Sequence, residues 1–436
     1  MGIVKDVDVT KPKLKRALGL FEITVYGVGI ILGAGIYALI GQAAGISGNA
    51  LWLSFLIGAV IASLTGLSYA ELGTMYPKEA AEYVYTKKAF KNKLFPFLVG
   101  WLIIVTGMVV SATVALGFGG YLYSITGIAP VLGAIILLLG CTALNFWGIK
   151  ESAKFNVIFT AIEMIGLLII IVLGAKFVGS VDYFEMPNGL VGVLSAAVLI
   201  FFAYVGFEDI VNMAEETKRP RKVIPKAIIL AVMITTVLYM LVAISAVSIL
   251  DWETLGTSAA PLADVSEAAL PGSSWWFSII ALFATANTVL IALIVESRMI
   301  WGMARERSLP KIFSKVHPTR KTPYISAFIV GVFAMIIVTL FDIRTIAEVT
   351  DFSVFTVFIA INASLIFLRY RRPNIKRPFK VPINIGKFPV LPALGVMFSL
   401  SMFAFFSLRP IIMGVIILIL GVIVYKVLKR KKLIKV

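Results

Sequence analysis

Apolar residues run along this chain in long, nearly uninterrupted segments, without the polar–apolar alternation of a half-buried strand. A helix needs roughly 20 apolar residues to cross about 30 Å of hydrocarbon. Twelve segments reach that length, and each predicts one membrane-spanning helix. They lie at residues 20–44, 50–73, 95–123, 128–147, 153–178, 190–213, 226–250, 275–303, 323–341, 345–368, 387–408 and 410–427.

The basic residues sort the connections between these segments into two sides. Of the 40 Lys and Arg residues, 36 fall in the N-terminal tail, in every second connection and in the C-terminal tail. Cytoplasmic loops carry an excess of Lys and Arg, so both termini are expected to be cytoplasmic. The net charge of +17 therefore indicates membrane topology and not a nucleic-acid surface.

The charged residues of the opposite connections are mostly acidic. This charge could concentrate cationic solutes by electrostatic attraction. Alternatively, it is only the consequence of keeping basic residues on the cytoplasmic side. The acidic residues assigned to this side are Asp182, Glu185, Asp251, Glu253, Asp264, Glu267, Asp342, Glu348 and Asp351.

The composition agrees with an all-α integral membrane protein and narrows its chemistry. Apolar residues make up 60% of the chain and charged residues only 14%. The single cysteine, Cys141, excludes a disulfide framework, and the single histidine, His317, lies in a basic loop. No metal site, cofactor or catalytic constellation is therefore expected, and an enzyme is the weakest of the possible functions.

Two of the apolar segments contain features that would interrupt a helix. The first carries five glycines in GVGIILGAGIYALIG, from Gly27 to Gly41, and the sixth contains FFAYVGFED, from Phe201 to Asp209. Glycine in a helix interior costs about 1 kcal/mol relative to alanine. The interruptions stand at equivalent places in two halves of five segments each, and an odd number of crossings makes the second half inverted. Such paired interruptions indicate the binding site of an inverted-repeat transporter, whereas close helix packing through small residues is the alternative.

An interrupted helix exposes backbone N–H and C=O groups, whose partial charges are positive and negative, to a ligand. The N–H groups of Gly33 to Gly35 would begin a half-helix, where the helix dipole favours a carboxylate. Carbonyl groups freed in both breaks suit an ammonium group, and lipid could not satisfy them. An α-amino acid carries both charges on one carbon, so the pattern favours an amino acid as substrate.

Several motifs resemble the amino acid–polyamine–organocation transporters, particularly the cationic amino acid transporter branch. The similar stretches are GVGIILGAGIY, SYAELGTMYPKEAAEYVYTKKAF, FFAYVGFEDIVNMAEETKRPRKVIPKAI, SRMIWGMARERSLP and RYRRPNIKRPFKVP. The resemblance implies an all-α fold of twelve transmembrane helices with a five-plus-five inverted repeat. The expected divisions are a cytoplasmic tail (1–19), a first repeat (20–178), a second repeat (190–368), two further spans (387–427) and a basic cytoplasmic tail (428–436).

The same resemblance implies roles for residues at the two breaks. The substrate carboxylate would be held by the backbone amides of Gly33, Ala34, Gly35 and Ile36. The ammonium group would meet the carbonyls of Ile31, Phe202, Ala203 and Val205. The side chains of Tyr204 and Phe207 would form walls or gates, or would simply pack against neighbouring helices.

Glu163 is the candidate coupling residue. Many relatives carry a lysine at this place on the fifth span, where sodium-coupled proteins of the same fold bind a sodium ion. Ser152, Asn156, Thr160 and Glu163 share one helical face. A proton is the favoured occupant, and sodium is the competing one, with ligands from Gly29, Leu32, Thr285, Asn287 and Thr288. A structural acid paired with a Thr or Asn of a neighbouring span is the alternative.

Two further charges lie within predicted spans. Unpaired burial of Glu208 and Arg298 would be expensive, so we expect one polar network at an inner gate that also includes Glu296. Phe207 is assigned to the same gate.

The sequence therefore predicts a secondary active transporter of amino acids in the cell membrane, which is driven by protons, with sodium as the competing ion, or works by exchange. The alternatives are a carrier of polyamines or other organic cations, a sodium-coupled amino acid transporter, and a channel or sensor that uses the same breaks.

Overall fold

The computed structural model describes residues 18–76, 81–147, 152–215, 217–320, 322–431 and 433–434. The predicted N-terminal tail (1–19) lies outside the described residues except for its last two. The side chains of Ser152 and Asn156, which were assigned to the face of Glu163, also lie outside the described part.

The described part is helical apart from one two-stranded hairpin. The helices are α1 (Leu20–Ile31), α2 (Gly35–Ser47), α3 (Leu51–Met75), α4 (Ala81–Ala89), α5 (Leu94–Thr126), α6 (Pro130–Trp147), α7 (Ser152–Gly174), α8 (Gly189–Ile200), α9 (Pro220–Ile249), α10 (Trp252–Thr257), α11 (Pro261–Ala269), α12 (Ser274–Arg305), α13 (Tyr324–Leu340), α14 (Ile343–Arg371), α15 (Val390–Met402) and α16 (Leu408–Arg430). Short 3₁₀ segments lie at Gly48–Ala50, Phe201–Tyr204, Phe207–Glu215, Lys311–Ser314 and Phe403–Phe405. The hairpin pairs β1 (Asn384–Ile385) with β2 (Phe388–Pro389) in antiparallel register.

The longer helices overlap the predicted apolar segments, whereas α4, α10 and α11 lie in predicted connections. Among the described residues, eight helical stretches are long and apolar enough to cross a membrane, and four shorter apolar helices accompany them. One of the eight stretches, 35–75, includes both α2 and α3. The molecule is therefore a helical protein of membrane type.

Large apolar side chains cover much of the outer surface. Leu132 and Leu139 of α6 are 52% and 54% exposed, and Ile412 and Ile419 of α16 are 50% and 52% exposed. Water would make such a surface unfavourable. Lipid would not, because hydrocarbon tails are as apolar as these side chains.

The two interrupted segments lie inside the bundle. Helix α2 packs against α8, α1 packs against α9, and the long helices α5, α12 and α14 pack around them. Nearly every side chain of α2 is buried. The backbone that leaves helical geometry is therefore surrounded by protein, as the absence of water from a bilayer requires.

One end of α14 is fixed by a buried ionic cluster, which we call the Glu71 cluster (Glu71, Arg369 and Arg377). Arg369 Nη2 lies 2.5 Å from Glu71 Oε2, and Arg377 Nε lies 3.1 Å from Glu71 Oε1. The backbone N–H of Val381 also donates to Glu71 Oε2 at 2.8 Å. The cluster ties α3 to the end of α14 and to the segment that follows it.

Candidate functional site

The first break separates α1 from α2 at residues 32–34. Helix α1 ends at Ile31, and α2 begins at Gly35. The N–H of Ala34 donates to the side-chain oxygen of Thr288 on α12 at 3.1 Å. The start of the second half-helix therefore already holds one oxygen ligand, supplied by the protein.

The second break follows α8. A 3₁₀ turn at Phe201–Tyr204 ends in Gly206, whose φ of +119° is one that residues with a side chain rarely adopt. The N–H of Gly206 donates to Glu208 Oε2 at 2.9 Å. Glycine at this position lets the chain leave helical geometry between the two parts of the segment.

The two breaks touch each other. A Cβ atom on Gly35 would lie 2.8 Å from the Cα of Ala203, and a Cβ on Gly206 would collide with the side chain of Ile30. Glycine is therefore required at both positions by close approach of backbone to backbone or to a fixed side chain. The structure brings together the residues that the sequence analysis had assigned to one site.

Tyr239 of α9 joins the breaks by a contact that sequence reasoning missed. Its hydroxyl lies 2.5 Å from the carbonyl oxygen of Ile31 and 3.0 Å from that of Ala203. These are two of the four carbonyls expected to receive an ammonium group. The hydroxyl has a single hydrogen to share between them, so Tyr239 satisfies only part of the hydrogen-bonding capacity of these two carbonyls.

The aromatic residues of the sixth segment are buried against neighbouring helices. The hydroxyl of Tyr204 donates to the carbonyl of Phe55 at 3.0 Å. The Phe207 ring lies 6.0 Å from the Tyr69 ring and 5.4 Å from the Phe358 ring. In this conformation both residues pack tightly, which suits walls of a closed site.

Glu163 lies on α7 beside the first break and is fully buried. Asn287 of α12 donates to Glu163 Oε1 at 3.3 Å, and the Tyr37 hydroxyl donates to the Glu163 backbone carbonyl at 2.6 Å. Glu163 Oε2 has no hydrogen-bond partner among the described residues. A buried carboxylate in this condition needs a proton or another cation to compensate its charge.

The three side chains named for the competing sodium site, those of Thr285, Asn287 and Thr288, make other hydrogen bonds. Thr285 donates to the carbonyl of Ala281 at 2.7 Å, and the side chains of Thr288 and Asn287 contact Ala34 and Glu163 as described. Within the described ranges, no group of three or more His, Cys, Asp and Glu residues is arranged to hold a metal ion.

The structure does not bring Arg298 into a network with Glu208. Glu208 and Glu296 are buried, whereas Arg298 is exposed and forms no ion pair within the described part of the chain. The reason is helical geometry, because two residues of an α-helix correspond to a rotation of about 200°. Glu296 faces Gly107 of α5, so Arg298 points away from that contact.

Two acidic residues assigned to a solvent-facing connection are buried within α14. Glu348 is paired with Arg344 at 2.9 Å. Asp351 is fully buried, and neither of its carboxylate oxygens has a hydrogen-bond partner among described residues. Their place inside a predicted span, 345–368, was the sequence signal that could have identified them.

Two broken helices that meet inside a helical membrane protein are the arrangement of a secondary transporter. A model of the amino acid permease family matches residues 18–425, and the chain belongs to that family. It is thus a membrane transporter of the amino acid–polyamine–organocation superfamily and not an enzyme.

Individual relatives cover nearly the whole chain. The branched-chain amino acid permease BcaP of Bacillus subtilis is 31% identical over 96% of this chain and 94% of its own length. The methylthioribose transporter of the same organism is 29% identical over the same shares. Cationic amino acid transporter 4 of Mus musculus is 29% identical over 83% of this chain and 61% of its own. The chain is therefore similar to permeases with several kinds of substrate.

Proposed function

We propose that this protein is a secondary active transporter of amino acids in the cell membrane, working by alternating access. The observation that carries the proposal is the contact between the two breaks, in which Gly35 lies against Ala203 and Gly206 lies against Ile30. A substrate held there would contact both halves of the molecule. Rocking of one half against the other would then expose it to either side in turn.

The proposed membrane topology has twelve spans and two inverted repeats, with both termini in the cytoplasm. Helices between Leu20 and Gly174 would form the first repeat, and those between Gly189 and Arg371 the second. Each repeat then begins with a broken helix. The distribution of Lys and Arg supports this orientation.

The substrate carboxylate would bind at the start of α2, to the amides of Gly33, Ala34, Gly35 and Ile36. The Thr288 hydroxyl now accepts the Ala34 N–H, so a substrate carboxylate would replace or share that acceptor. A carboxylate is a stronger acceptor than a hydroxyl, because charge-assisted hydrogen bonds are roughly twice as strong as neutral ones. The exchange is therefore favourable.

The substrate ammonium would bind on the side of the freed carbonyls of Ile31, Phe202, Ala203 and Val205. Tyr239 now donates to two of them. The ammonium has three donors, whereas the hydroxyl has one. Binding would satisfy carbonyls that a single tyrosine serves only in part, with Tyr204 and Phe207 as the adjoining walls.

Glu163 would couple transport to a proton gradient. Its free Oε2 and its place beside the first break support this role. A proton neutralises a carboxylate without a full set of ligands, whereas sodium needs several oxygen atoms. The three side chains proposed for sodium already hydrogen-bond to Ala281, Ala34 and Glu163, which favours the proton.

The test is exchange of a labelled amino acid into proteoliposomes loaded with unlabelled amino acid, which requires a carrier but no ion gradient. Gly35→Val should abolish exchange because its side chain would enter the space of Ala203. The matched control is Gly140→Val, since a Cβ at Gly140 meets nothing within 4 Å. Equal exchange by both variants would contradict the proposed site.

A competition panel separates the amino acid from the organic-cation alternative. Amino acids should inhibit labelled uptake, whereas their amides and decarboxylated analogues should not, because these lack the carboxylate. Inhibition by putrescine or spermidine, without inhibition by any amino acid, would favour a polyamine carrier instead.

A further inference from the structure

Asp351 is a buried charge that the proposed site does not yet use. It lies nine residues into α14, roughly 12 Å from the first residue of that helix, and its side chain is fully buried. Both carboxylate oxygens lack a hydrogen-bond partner among the described residues. Removing one partner from a buried ion pair costs several kcal/mol, so a buried acid without an ion-pair partner among the described residues needs either a proton or a cationic ligand.

The face of α14 that carries Asp351 points at the second break. Phe355, one turn further on, places its ring 4.6 Å from the ring of Phe201. Phe358, on the same face, lies 5.8 Å from Phe201 and 5.4 Å from Phe207. Helix α14 also contacts the 3₁₀ segment Phe201–Tyr204, so the face that carries Asp351 borders the segment where the substrate ammonium is expected.

No Lys or Arg among the described residues forms an ion pair with this carboxylate. The described basic residue nearest along α14, Arg344, forms its ion pair with Glu348 at 2.9 Å. Arg369, at the other end of the helix, forms its ion pair with Glu71. Both arginines are therefore paired with other acids, and the charge of Asp351 is left without a basic partner among the described residues.

We propose that Asp351 binds a positively charged nitrogen of the transported amino acid. This proposal rests on the proposed function and adds to it a residue that decides which substrates are accepted. The nitrogen is either the α-ammonium group, common to all amino acids, or the side-chain nitrogen of lysine or arginine. Both give the carboxylate the charge-assisted hydrogen bonds that the described protein lacks there.

The experiment measures inhibition of labelled uptake into proteoliposomes by leucine, lysine, arginine and 4-methyl-2-oxopentanoate, which is leucine without its ammonium group. Asp351→Asn keeps the shape and removes the charge. Its matched control is Asp182→Asn, because Asp182 is an exposed acid of a connection. We expect Asp351→Asn to raise the half-inhibitory concentration about tenfold or more, a change of about 1.4 kcal/mol, and the control to leave it unchanged.

The pattern of losses identifies the nitrogen. If Asp351 binds the α-ammonium, leucine, lysine and arginine weaken alike while the oxo acid is unaffected. If it binds a side-chain nitrogen, lysine and arginine weaken and leucine does not. Unchanged inhibition by every compound overturns the proposal, and so does a variant altered only in the pH dependence of uptake, which would make Asp351 a proton site.

A second variant keeps the test decisive if Asp351→Asn fails to fold. Asp351→Glu retains the charge but moves it by about one carbon–carbon bond. If Asp351 binds a side-chain nitrogen, the ratio of the half-inhibitory concentrations of leucine and lysine should change. If it binds the α-ammonium group, both half-inhibitory concentrations should change together. Inhibition identical to that of the parent would overturn the proposal. Failure of the proposed function is a separate result, because the parent protein would then show no amino acid exchange at all.

Discussion

Buried carboxylates occur in two regions of this protein, and their surroundings differ. In the Glu71 cluster, one acid meets two arginines and a backbone N–H, with oxygen–nitrogen distances of 2.5, 3.1 and 2.8 Å. Beside the helix breaks, Glu163 has one amide donor on one oxygen, and Asp351 has no donor among described residues. Both regions are equally inaccessible to water.

This difference distinguishes Glu71, which stabilises the fold, from Glu163 and Asp351, for which we propose a role in binding a proton or a substrate. A buried charge is tolerated when opposite charge and hydrogen bonds satisfy it within the protein. Glu71 has that opposite charge beside it, because two arginine side chains lie within ion-pair distance of its carboxylate. The acids at the breaks have none among the described residues, and we propose that a proton or a substrate nitrogen compensates their charge during transport.

The largest effect is expected in the Glu71 cluster. Glu71→Ala would leave Arg369 and Arg377 buried without their partner, and breaking such a pair costs about 3–5 kcal/mol. The midpoint of thermal unfolding in detergent should fall clearly below that of the parent. Glu253→Ala, which removes an exposed acid, is the control. Equal unfolding midpoints for Glu71→Ala and Glu253→Ala would show that the ion pairs of the Glu71 cluster do not stabilise the fold.

The next effect concerns the backbone at the second break. Gly206→Ala places a side chain at a φ of +119° and into contact with Ile30. Strained backbone of this kind costs about 1–3 kcal/mol, and the breaks would be pushed apart. We expect loss of amino acid exchange, whereas Gly302→Ala, where a Cβ meets nothing within 4 Å, should behave as the parent. Full exchange by Gly206→Ala would show that transport does not depend on the contact between the two breaks.

A smaller effect is expected at Tyr239. Tyr239→Phe removes the hydroxyl that donates to the carbonyls of Ile31 and Ala203, which should cost about 1–2 kcal/mol of stability. Because a substrate ammonium would supply the missing donors, added amino acid should recover more thermal stability in the variant than in the parent. Equal ligand-induced shifts would mean that the ammonium does not bind these carbonyls.

The smallest effect is a pH dependence at Glu82 of α4, which lies outside the candidate spans. Burial, together with the nearby Asp209 charge, raises the pKa of Glu82 from 4.5 to about 7. The folded protein therefore holds a proton that the unfolded chain releases above pH 4.5, and this contribution to stability is lost as the pH rises through about 7. The unfolding midpoint should fall over that interval, and Glu82→Gln should flatten the curve. If Glu82→Gln gives the same curve of unfolding midpoint against pH as the parent, groups other than Glu82 cause the pH dependence.

The helices and their interruptions follow from the sequence because their signals are local. A run of about 20 apolar residues has few alternatives to a membrane helix. Gly35 begins α2 just after the first break, and Gly206 lies between the two 3₁₀ segments that follow α8. Contacts between distant segments carry no such signal. Tyr239 looks like any aromatic residue of an apolar helix until α9 is placed beside both breaks.

The charged residues show where sequence reasoning reached its limit. Arg298 was expected to join Glu296 and Glu208, but a two-residue spacing puts it on the other side of α12. Asp351 was grouped with acids of a solvent-facing connection, although it lies within a predicted span. Whether a buried charge has a partner depends on the packing of several helices, which no single segment encodes.

The most direct test of the central claim is accumulation of a labelled amino acid in proteoliposomes under an imposed inward proton gradient, compared between the parent and Glu163→Gln. If the unpaired acid at the first break carries the coupling proton, the parent accumulates substrate above its outside concentration. The variant should still exchange substrate but should not accumulate it, with or without a sodium gradient. Equal accumulation by both proteins would make Glu163 a structural acid and would contradict the distinction between paired and unpaired carboxylates.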